Sequence, residues 1–425
     1  MSDATVAVPG DKSVSHRALM LGSIANGRTE ISGFLSGEDC LATLRALRQL
    51  GVDITQHDAT TLTVNGVGAD GLQAPAGEMH LGNSGTAMRL MAGLLAGQAF
   101  DSTLGGDESL SARPMGRVLT PLAMMGASIT SHDDKPPLAI AGGQTLTGID
   151  YALPIASAQV KSCVLLAGLH ASGRTSVVEP APTRDHTERM LRSMGADVRS
   201  KDGRIGLQGG QSLSGCPIQV PGDLSSAAFV MLAALLARDA DIFIENVGVN
   251  PTRTGVISIL QAMGGDIAVE NPRSFADEPV ADIRVKSSKL TGGDVDPQLV
   301  SLAIDEFPVL FIAAAAARGK TTFSGIGELR VKESDRIAAM STGLRTLGIS
   351  VEETEDGAIV HGGRFSGGTA RSFGDHRIAM SLAIAGSVAC DPVVVQGVDA
   401  VETSFPGFAD LLSGLGINIS VQSAP

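Results

Sequence analysis

Aromatic residues are scarce in this sequence. Phe, Tyr and Trp together make up 3% of its 425 residues, with no Trp and one Tyr, Tyr151. The cores must therefore be built mainly from Ala, Leu, Val, Ile and Met, which is feasible because hydrophobic residues make up 43% of the chain. A nucleic-acid surface needs a basic face, and a single-strand surface also needs stacking aromatics. The net charge of −13 and the lack of aromatics argue against both.

Cysteines and long apolar runs are also few. The four cysteines show no CxxC spacing and no neighbouring His pair, so we expect free thiols in a reducing compartment rather than a zinc site or disulfides. The N-terminal sequence MSDATVAVPGDKS lacks the basic and apolar segments of a secretory signal. Apolar runs such as 227–237 and 308–317 fall short of the roughly 20 residues of a bilayer span and predict buried helices. We therefore expect a soluble, cytoplasmic protein.

One pattern occurs six times along the chain, at intervals of about 70 residues. An amphipathic helix, with apolar residues at i, i+3, i+4 and i+7, ends in Leu-Gly or Met-Gly before a short β-like stretch. The glycine stands where a left-handed C-cap belongs. The six glycines are Gly51, Gly126, Gly195, Gly264, Gly348 and Gly416.

A second type of helix alternates with the first. It is rich in Ala and apolar on nearly every side, as in LSSAAFVMLAALLARD and FPVLFIAAAAARG, which is typical of an interior helix. Six such units in a chain of this length predict two domains of three units each. The similar openings VPGDKSVS and VPGDLSSA mark equivalent points in the two halves, and we expect a hinge near each.

Cationic residues are concentrated at the starts of the repeat helices. Helix N-termini carry unpaired N–H groups and the positive end of the dipole, so they favour anions, and cations there do not help helix stability. Repeated in an acidic protein, this arrangement predicts a site for several anionic groups. The residues concerned are Lys12, Arg17, Arg89, Arg113, Arg184, Lys332, Arg336 and Arg377.

Each motif has a structural as well as a functional interpretation. The small residues 82–85 in LGNSGTAMR suit close backbone approach to a ligand, although alone they are a weak glycine-turn signal. ELRVKESDR by itself favours an ion-paired, exposed helix start. In GDHR, Asp375 is expected to cap the helix. Asp305 and Glu306 in AIDEFPVL form either an acidic helix cap or part of a site.

In this order, the motifs resemble the 5-enolpyruvylshikimate-3-phosphate synthase family over nearly the whole chain, from PGDKSVSHR to TSFPGF. PIASAQVKS, TRDHTERM and LRVKESDR resemble the subgroup called class II. The resemblance implies an α/β fold of two inverse α/β (enolpyruvyl transferase-like) domains, each of three βαβαββ repeats. It implies one discontinuous domain of residues 1–11 and 225–425, another of residues 12–224, and hinge crossings near 10–13 and 221–226.

The resemblance also implies the reaction. The enolpyruvyl group of phosphoenolpyruvate is transferred to the 5-hydroxyl of shikimate 3-phosphate, with release of phosphate, as a step toward chorismate and the aromatic amino acids. It implies a monomer without a metal, an organic cofactor, or a nucleic-acid or membrane partner. Glyphosate inhibits this family at the phosphoenolpyruvate site, beside the glycine that matches Gly85, and tolerant class II members carry Ala there.

Matching the motifs residue by residue gives three overlapping sets. The implied acid/base residues are Asp305, Glu333 and Lys12. The implied shikimate 3-phosphate ligands are Lys12, Ser13, Arg17, Ser157, Ala158, Gln159, Arg184, Asp305 and Lys332. The implied phosphoenolpyruvate ligands are Lys12, Gly85, Arg113, Gln159, Arg336 and Arg377. Three positions depart from the family pattern: Ala158 replaces a Ser, Glu328 an Asn and Thr403 a Lys.

Alternatives remain at this point. The sister enzyme that transfers enolpyruvate to UDP-N-acetylglucosamine places a reactive Cys in a mobile loop, and none of the cysteines here has such a context. RNA 3′-phosphate cyclases share a related architecture, but the acidic charge and scarce aromatics disfavour them. A non-catalytic repeat protein that only binds a partner would not need convergent carboxylates.

Overall fold

The computed structural model describes residues 3–422 of the chain. The chain divides into two units. Unit 1 consists of Met1–Pro9, Pro221–Arg273 and Pro279–Pro425, and unit 2 consists of Gly10–Val220 and Ser274–Glu278.

Helices and strands alternate along both units. The α-helices within the described residues are α1 (Lys12–Ile24), α2 (Glu38–Gln49), α3 (Gly85–Leu95), α4 (Glu108–Ser111), α5 (Gly116–Met124), α6 (Ala158–Gly168), α7 (His186–Ser193), α8 (Leu224–Leu236), α9 (Gly255–Ala262), α10 (Val300–Ala303), α11 (Phe307–Ala316), α12 (Arg336–Thr346), α13 (His376–Gly386) and α14 (Phe408–Gly414). Short 3-10 helices span Pro297–Leu299, Ile304–Glu306, Gly327–Val331 and Asp399–Thr403.

The strands are short, and most of them belong to small sheets. In chain order they are β1 (Ala4–Ala7), β2 (Ala25–Ser32), β3 (Asp53–Gln56), β4 (Leu62–Val67), β5 (Met79–His80), β6 (Ser102–Gly105), β7 (Ser128–His132), β8 (Lys135–Ala141), β9 (Asp150–Ala152), β10 (Arg174–Val178), β11 (Val198–Lys201), β12 (Arg204–Gln208), β13 (Leu213–Ser214), β14 (Ile218–Gln219), β15 (Asp241–Gly248), β16 (Asp266–Phe275), β17 (Glu278–Lys286), β18 (Lys320–Phe323), β19 (Val351–Glu353), β20 (Ala358–His361), β21 (Gly368–Arg371) and β22 (Val393–Gln396).

Unit 2 has three sheets within the described residues. Their strand orders are β13-β2-β4-β3 with β14 also beside β2, β5-β6-β8-β7, and β9-β10-β12-β11. The parallel pairs β5–β6 and β9–β10 enclose α3 and α6 in the chain, and antiparallel pairing adds the two remaining strands of each sheet. A strand, an interior helix, a parallel strand, an amphipathic helix and two further strands form the repeating unit.

Unit 1 also has three sheets, with orders β1-β15-β17-β16, β18-β20-β19 and β21-β22. The β1–β15 and β21–β22 pairs are parallel, and β20 pairs antiparallel with both of its neighbours. The sixth repeat is shorter than the others, because residues 417–422 after α14 form no strand.

The six repeat glycines have the expected conformation. Gly51, Gly126, Gly195, Gly264, Gly348 and Gly416 all have positive φ, between 81° and 99°. Each lies just after the end of an amphipathic helix (α2, α5, α7, α9, α12 or α14). The left-handed C-cap predicted from the Leu-Gly and Met-Gly pairs is confirmed, because glycine adopts positive φ without the steric cost of a Cβ.

The interior helices form the centre of each unit. In α8 every residue from Leu224 to Leu235 is buried, and α1, α3, α6, α11 and α13 are also largely buried. Aromatic rings contribute mainly to unit 1, where Phe307 and Phe311 pack on Phe323, and Phe405 packs on Phe408. Unit 2 relies on aliphatic and sulfur-containing side chains, as the composition predicts.

One continuous helical stretch is longer than the sequence suggested. Pro297–Ala316 spans 20 residues, and it is long and apolar enough, by length and composition only, to cross a membrane. It includes α10 and α11, and 67% of its most apolar window is buried inside the protein. The core helix of a globular protein passes the same test. The apolar run 308–317 falls almost entirely within α11, whose residues from Phe307 to Ala315 are buried, as the sequence predicts.

The contact between α3 and α6 depends on a residue without a side chain. A Cβ added at Gly93 would lie 2.3 Å from the backbone oxygen of Cys163. We expect Gly93→Ala to force the helices apart and to cost about 1–3 kcal/mol. Thermal denaturation should show a decrease in midpoint of about 2–4 °C per kcal/mol.

Gly77→Ala is the matched control. Gly77 is exposed in the same unit, and an added Cβ would have no neighbour within 4 Å. Its melting temperature should equal that of the wild type. Equal melting midpoints for the Gly93 and Gly77 variants would contradict the prediction, because they would show that α3 and α6 can move apart without a measurable loss of stability.

Candidate active site

The first cation of the chain lies at a helix start that an aspartate caps. The Asp11 carboxylate accepts a hydrogen bond from the Val14 N–H at 2.8 Å, and Lys12 is the first residue of α1. Lys12 forms an ion pair with Asp39, whose side chain is nearly buried in the first turn of α2. The cap stabilises the helix terminus that the Lys12 charge opposes. The Asp11 cap and the ion pair with Asp39 therefore hold Lys12 at a helix N-terminus, where the unpaired backbone N–H groups favour an anion.

Arg17 lies inside unit 2, where it donates hydrogen bonds to two hydroxyls and a backbone carbonyl. Its Nε donates to Thr187 Oγ1 at 2.7 Å, its Nη2 to Ser162 Oγ at 2.8 Å and its Nη1 to the Ser13 carbonyl at 2.9 Å. Burial lowers the pKa of Arg17 to about 10, and the nearby Glu188 carboxylate limits that decrease. The guanidinium stays charged at neutral pH, and three hydrogen bonds fix its orientation.

Gln159 is held from two sides at the start of α6. Arg89 Nη1 donates to its Oε1 at 2.7 Å, and its Nε2 donates to Thr86 Oγ1 at 2.9 Å. Arg89 Nη2 also donates to the Pro114 carbonyl at 3.3 Å. Arg89 therefore ties α3 to α6 and to the segment before α5.

Gly85 begins α3 beside two guanidinium groups. A Cβ at this position would lie 2.9 Å from Arg89 Nη1 and 3.2 Å from Arg113 Nη1. Arg113 Nη2 donates to Ser109 Oγ at 3.2 Å and to the side-chain oxygen of Asn83. The absence of a side chain at Gly85 is what allows both arginines to approach this helix N-terminus.

The remaining candidates of unit 2 lie at two further helix starts. Ser157 is the N-cap of α6, where its Oγ accepts from the Val160 N–H at 3.4 Å, and Ala158 is the first helical residue. Arg184 is half-buried just before α7. Since Ala158 has only a methyl group, it can bind a ligand only through its backbone.

Unit 1 brings five of the predicted charged residues together around Arg336. Its Nε donates to Asp375 at 2.8 Å, its Nη2 to Glu333 at 2.6 Å and its Nη1 to Asp305 at 3.3 Å. Lys332 Nζ lies 3.9 Å from the same oxygen of Asp305. The Arg336 side chain is 1% exposed, whereas Asp305 and Glu333 are 16% and 25% exposed. The two carboxylates most accessible to a ligand are thus those predicted to transfer protons.

The electrostatics of this cluster follow from its composition. Burial opposes the charge of Arg336, but Asp375, Glu333 and Asp305 outweigh it and raise the pKa of the guanidinium above its usual value. For Asp375, burial likewise opposes ionisation, and the Arg336 charge holds the pKa of that carboxyl below its usual range. Two cations face three carboxylates, so the cluster carries an excess of negative charge.

A second cluster of unit 1 surrounds Arg377 on α13. Arg377 Nη2 donates to Ser225 Oγ at 3.2 Å, and its Nη1 lies 3.7 Å from Glu306 Oε1. Arg253 Nη2 donates to Ser225 Oγ at 2.7 Å and to Asp223 at 3.2 Å. Ser225 Oγ donates in turn to Glu306 Oε1.

The structure decides between several interpretations of single motifs. Asp375 caps α13 by accepting from the Arg377 N–H at 2.9 Å, as expected. Glu306 occupies the N-cap position of α11 but makes no side-chain capping hydrogen bond. Arg336 is ion-paired but not exposed, so the interpretation of ELRVKESDR as an exposed helix start is wrong. The ion pairs with its three carboxylate partners offset the free-energy cost of burying the Arg336 charge.

Sequence reasoning missed the partners that hold these cations. Asp39 pairs with Lys12, and Arg253 and Ser225 belong to the Arg377 cluster, although none was singled out. Ser225 follows Asp223 in the VPGD motif that repeats VPGDKSVS, which was the available signal. No local pattern marks Asp39 or Arg253, because their partners are distant in the chain.

The positions that depart from the family pattern also have defined environments. Glu328 is half-buried in the 3-10 helix Gly327–Val331. Thr403 ends another such helix, where its Oγ1 donates to the Ala400 carbonyl at 2.6 Å. The Thr403 hydroxyl satisfies the local backbone and supplies no positive charge.

Two α/β units of repeated strand–helix modules, with arginine and carboxylate clusters at helix N-termini, define an enolpyruvyl transferase fold. A profile of EPSP synthase (3-phosphoshikimate 1-carboxyvinyltransferase) matches residues 2–412. The 3-phosphoshikimate 1-carboxyvinyltransferase of Nitrosococcus oceani is 55% identical over 97% of this chain and 93% of its own length. The enzyme of the same name from Methylococcus capsulatus is 56% identical over 98% of this chain and 96% of its own length. The EPSP synthase structure from Acinetobacter baumannii shares 53% identity with a TM-score of 0.89, over 99% of this chain and 97% of that one.

The chain belongs to the EPSP synthase family, and it is a transferase of the shikimate pathway. The match over nearly the full length decides against the UDP-N-acetylglucosamine enzyme and against a non-catalytic repeat protein. The resemblance found in the motifs is confirmed, as is the two-domain α/β fold class.

His16 lies between the two cations of the first motif. It is fully buried, with Nδ1 2.8 Å from Thr43 Oγ1 and Nε2 3.3 Å from Ser84 Oγ. Burial lowers its pKa well below 6.5, and the charges of Lys12 and Arg17 lower it further. His16 is therefore neutral in the folded protein at neutral pH.

The lowered pKa predicts a pH-dependent contribution to stability. Below pH 6.5 the unfolded chain binds a proton that folded His16 does not, so the contribution is complete above pH 6.5 and is lost as the pH falls. Urea denaturation should show that wild-type stability falls more steeply than that of His16→Gln between pH 6.5 and 5, by up to about 1.4 kcal/mol per pH unit. Parallel pH profiles would mean that folded His16 accepts the proton.

Proposed function

We propose that this chain transfers the enolpyruvyl group of phosphoenolpyruvate to the 5-hydroxyl of shikimate 3-phosphate and releases inorganic phosphate. The observation that carries the proposal is the Arg336 cluster, in which a buried guanidinium lies beside two partly exposed carboxylates. An anion-binding group and proton-transfer groups at one place are what this reaction needs. We further propose that it acts in the cytoplasm, since all four cysteines are free thiols.

The substrates impose the first requirement, which is charge. Each carries a carboxylate and a phosphate monoester, so together they bring roughly −5 to −6 charges. We assign shikimate 3-phosphate to the residues that the resemblance implies for it, which are Lys12, Ser13, Arg17, Ser157, Ala158, Gln159, Arg184, Asp305 and Lys332. We assign phosphoenolpyruvate to Lys12, Gly85, Arg113, Gln159, Arg336 and Arg377. Planar guanidinium groups suit carboxylate and phosphate through paired hydrogen bonds.

Proton transfer is the second requirement. The 5-hydroxyl oxygen attacks C2 of phosphoenolpyruvate and loses its proton, while the C3 methylene gains one, giving a tetrahedral intermediate. Cleavage of the C2–O bond to phosphate and loss of a proton from C3 then restore the double bond. These steps need a base and an acid close together, and Asp305, Glu333 and Lys12 are the groups we assign.

The pairing of Arg336 links these two requirements. Arg336 donates hydrogen bonds to Asp305 and Glu333. A substrate anion that takes over Nη1 and Nη2 of Arg336 would release both carboxylates, which would then be available to exchange protons with the substrates.

The test of the proposed function is phosphate release. The purified chain is mixed with phosphoenolpyruvate, and inorganic phosphate is measured with and without shikimate 3-phosphate. We expect release only when both are present, with one enolpyruvyl product per phosphate. Release without shikimate 3-phosphate, or none with it, would contradict the proposal.

The role of Asp305 gives a sharper prediction. Asp305→Asn keeps the size and a hydrogen-bonding side chain but removes the base, so turnover should fall by roughly 100-fold or more. Affinity for shikimate 3-phosphate, measured by calorimetry, should change far less. Asp241→Asn is the control, because it removes a partly exposed carboxylate paired with Arg284 in the same unit. Near-normal turnover of the Asp305 variant would show that Asp305 is not the base and serves only as an ion-pair partner.

Gly85 predicts the response to glyphosate, for which the resemblance implies the phosphoenolpyruvate site. A methyl group at Gly85 would displace the Arg89 and Arg113 guanidinium groups, which end flexible side chains and can shift. We expect Gly85→Ala to raise the inhibition constant for glyphosate by roughly 10- to 200-fold, the effect of one methyl in a tight pocket. The Michaelis constant for phosphoenolpyruvate should rise less. Inhibition of both forms at matched substrate saturation decides this, and equal inhibition would exclude Gly85 as the determinant.

A further inference from the structure

Glu306 is a buried carboxylate next to a candidate acid/base residue, with no part in the reaction as assigned above. Its side chain is 1% exposed, although neighbouring Asp305 is 16% exposed. It does not cap α11, at whose N-terminus it lies. Its Oε1 instead accepts from Ser225 Oγ and lies 3.6 Å from Arg253 Nη2 and 3.7 Å from Arg377 Nη1.

The Ser225 hydroxyl has its hydrogen bonds fixed by these neighbours. A hydroxyl has one proton to donate and two lone pairs, whereas an ionised carboxylate only accepts and a guanidinium only donates. Ser225 must therefore donate to Glu306 and accept from Arg253 at 2.7 Å and from Arg377 at 3.2 Å. The direction of every bond at this hydroxyl depends on the carboxylate.

Glu306 balances part of the positive charge of Arg253 and Arg377, which lie close to each other. Arg253 and Arg377 contribute two positive charges, and Asp223 and Glu306 contribute two negative ones. Without Glu306, two guanidinium groups that share one hydroxyl would repel each other in a poorly solvated place. Glu306 Oε2 has no hydrogen-bond partner among the described residues, so the positive charge of the arginines is what stabilises this carboxylate.

Only one of the four charged side chains is partly open to solvent. Arg377 is 13% exposed, whereas Arg253, Asp223 and Glu306 are 4%, 9% and 1% exposed. Of the four, Arg377 is therefore the group most accessible to a bound anion. A change at Glu306 would reach the anion through the position of Arg377.

We propose that Glu306 is a positioning residue, which with Ser225 and Arg253 fixes the Arg377 guanidinium for the phosphoenolpyruvate anion. The inference rests on the proposed function, because it takes phosphoenolpyruvate as the anion that Arg377 binds. Glu306 holds Nη1 of Arg377 by charge and Nη2 through the oriented Ser225 hydroxyl. The remaining N–H groups of Arg377 are then presented in one direction.

The test compares Glu306→Gln with Ser225→Ala, which removes the bridging hydroxyl without changing any charge or adding volume. In both variants we expect the Michaelis constant for phosphoenolpyruvate to rise, by roughly 10-fold or more for Glu306→Gln. The Michaelis constant for shikimate 3-phosphate should change by less than about 2-fold, and kcat by less than the constant for phosphoenolpyruvate. Glu353→Gln, which breaks an exposed pair with Arg345 in the same unit, should match the wild type in all three.

The outcomes separate the inference from the function on which it rests. If the wild type releases phosphate but both variants keep its Michaelis constant for phosphoenolpyruvate, Glu306 has no positioning role. Equal increases for both substrates, with a lower melting temperature, would overturn the inference in favour of general structural support. A wild-type enzyme that releases no phosphate would overturn the proposed function itself.

Discussion

The interaction on which the rest of the candidate site depends is the pairing of Arg336 with three carboxylates. A guanidinium that is 1% exposed would be strongly unfavourable alone, and its neighbours would be equally unfavourable without it. The pairing joins three helix starts, because Asp305 precedes α11, Arg336 begins α12 and Asp375 caps α13. Since α11 and α13 are interior helices of the repeat, the site of unit 1 is fixed to the buried core of that unit.

Two buried arginines of the candidate site, Arg336 and Arg17, have opposite kinds of hydrogen-bond partner. Arg336 has anionic partners, which raise its pKa, whereas Arg17 donates to two hydroxyls and a carbonyl, and burial lowers its pKa to about 10. The charges of Glu188, Asp11 and Glu278 raise the pKa of Arg17, but they do not outweigh its burial. The Arg336 cluster carries an excess of negative charge, because three carboxylates face two cations. An anion that binds Arg336 would therefore have to replace one of these carboxylates as its partner.

The sequence predicts the repeated framework well, because its signals are local. A glycine after each amphipathic helix and an apolar surface on each interior helix need no distant information, and both are confirmed. The candidate residues came from motif resemblance, and their partners could not be foreseen. Asp39 pairs with Lys12 across 27 positions, and Glu306 meets Ser225 across 81. The burial of Arg336 likewise has no local signal in ELRVKESDR, since it depends on Asp375, 39 residues away.

Aspartate caps explain how cations are tolerated at helix starts, where the dipole disfavours them by about 0.3–1 kcal/mol each. Asp11 precedes Lys12, Asp335 precedes Arg336 and Asp375 lies two residues before Arg377, and each aspartate accepts a hydrogen bond from its own helix. Such a cap contributes about 1 kcal/mol, enough to offset the cation. The cap occupies one backbone N–H, so the other unpaired N–H groups of the first turn remain beside a Lys or Arg. A protein with a net charge of −13 thereby places cations at helix starts without destabilising the helices that carry them.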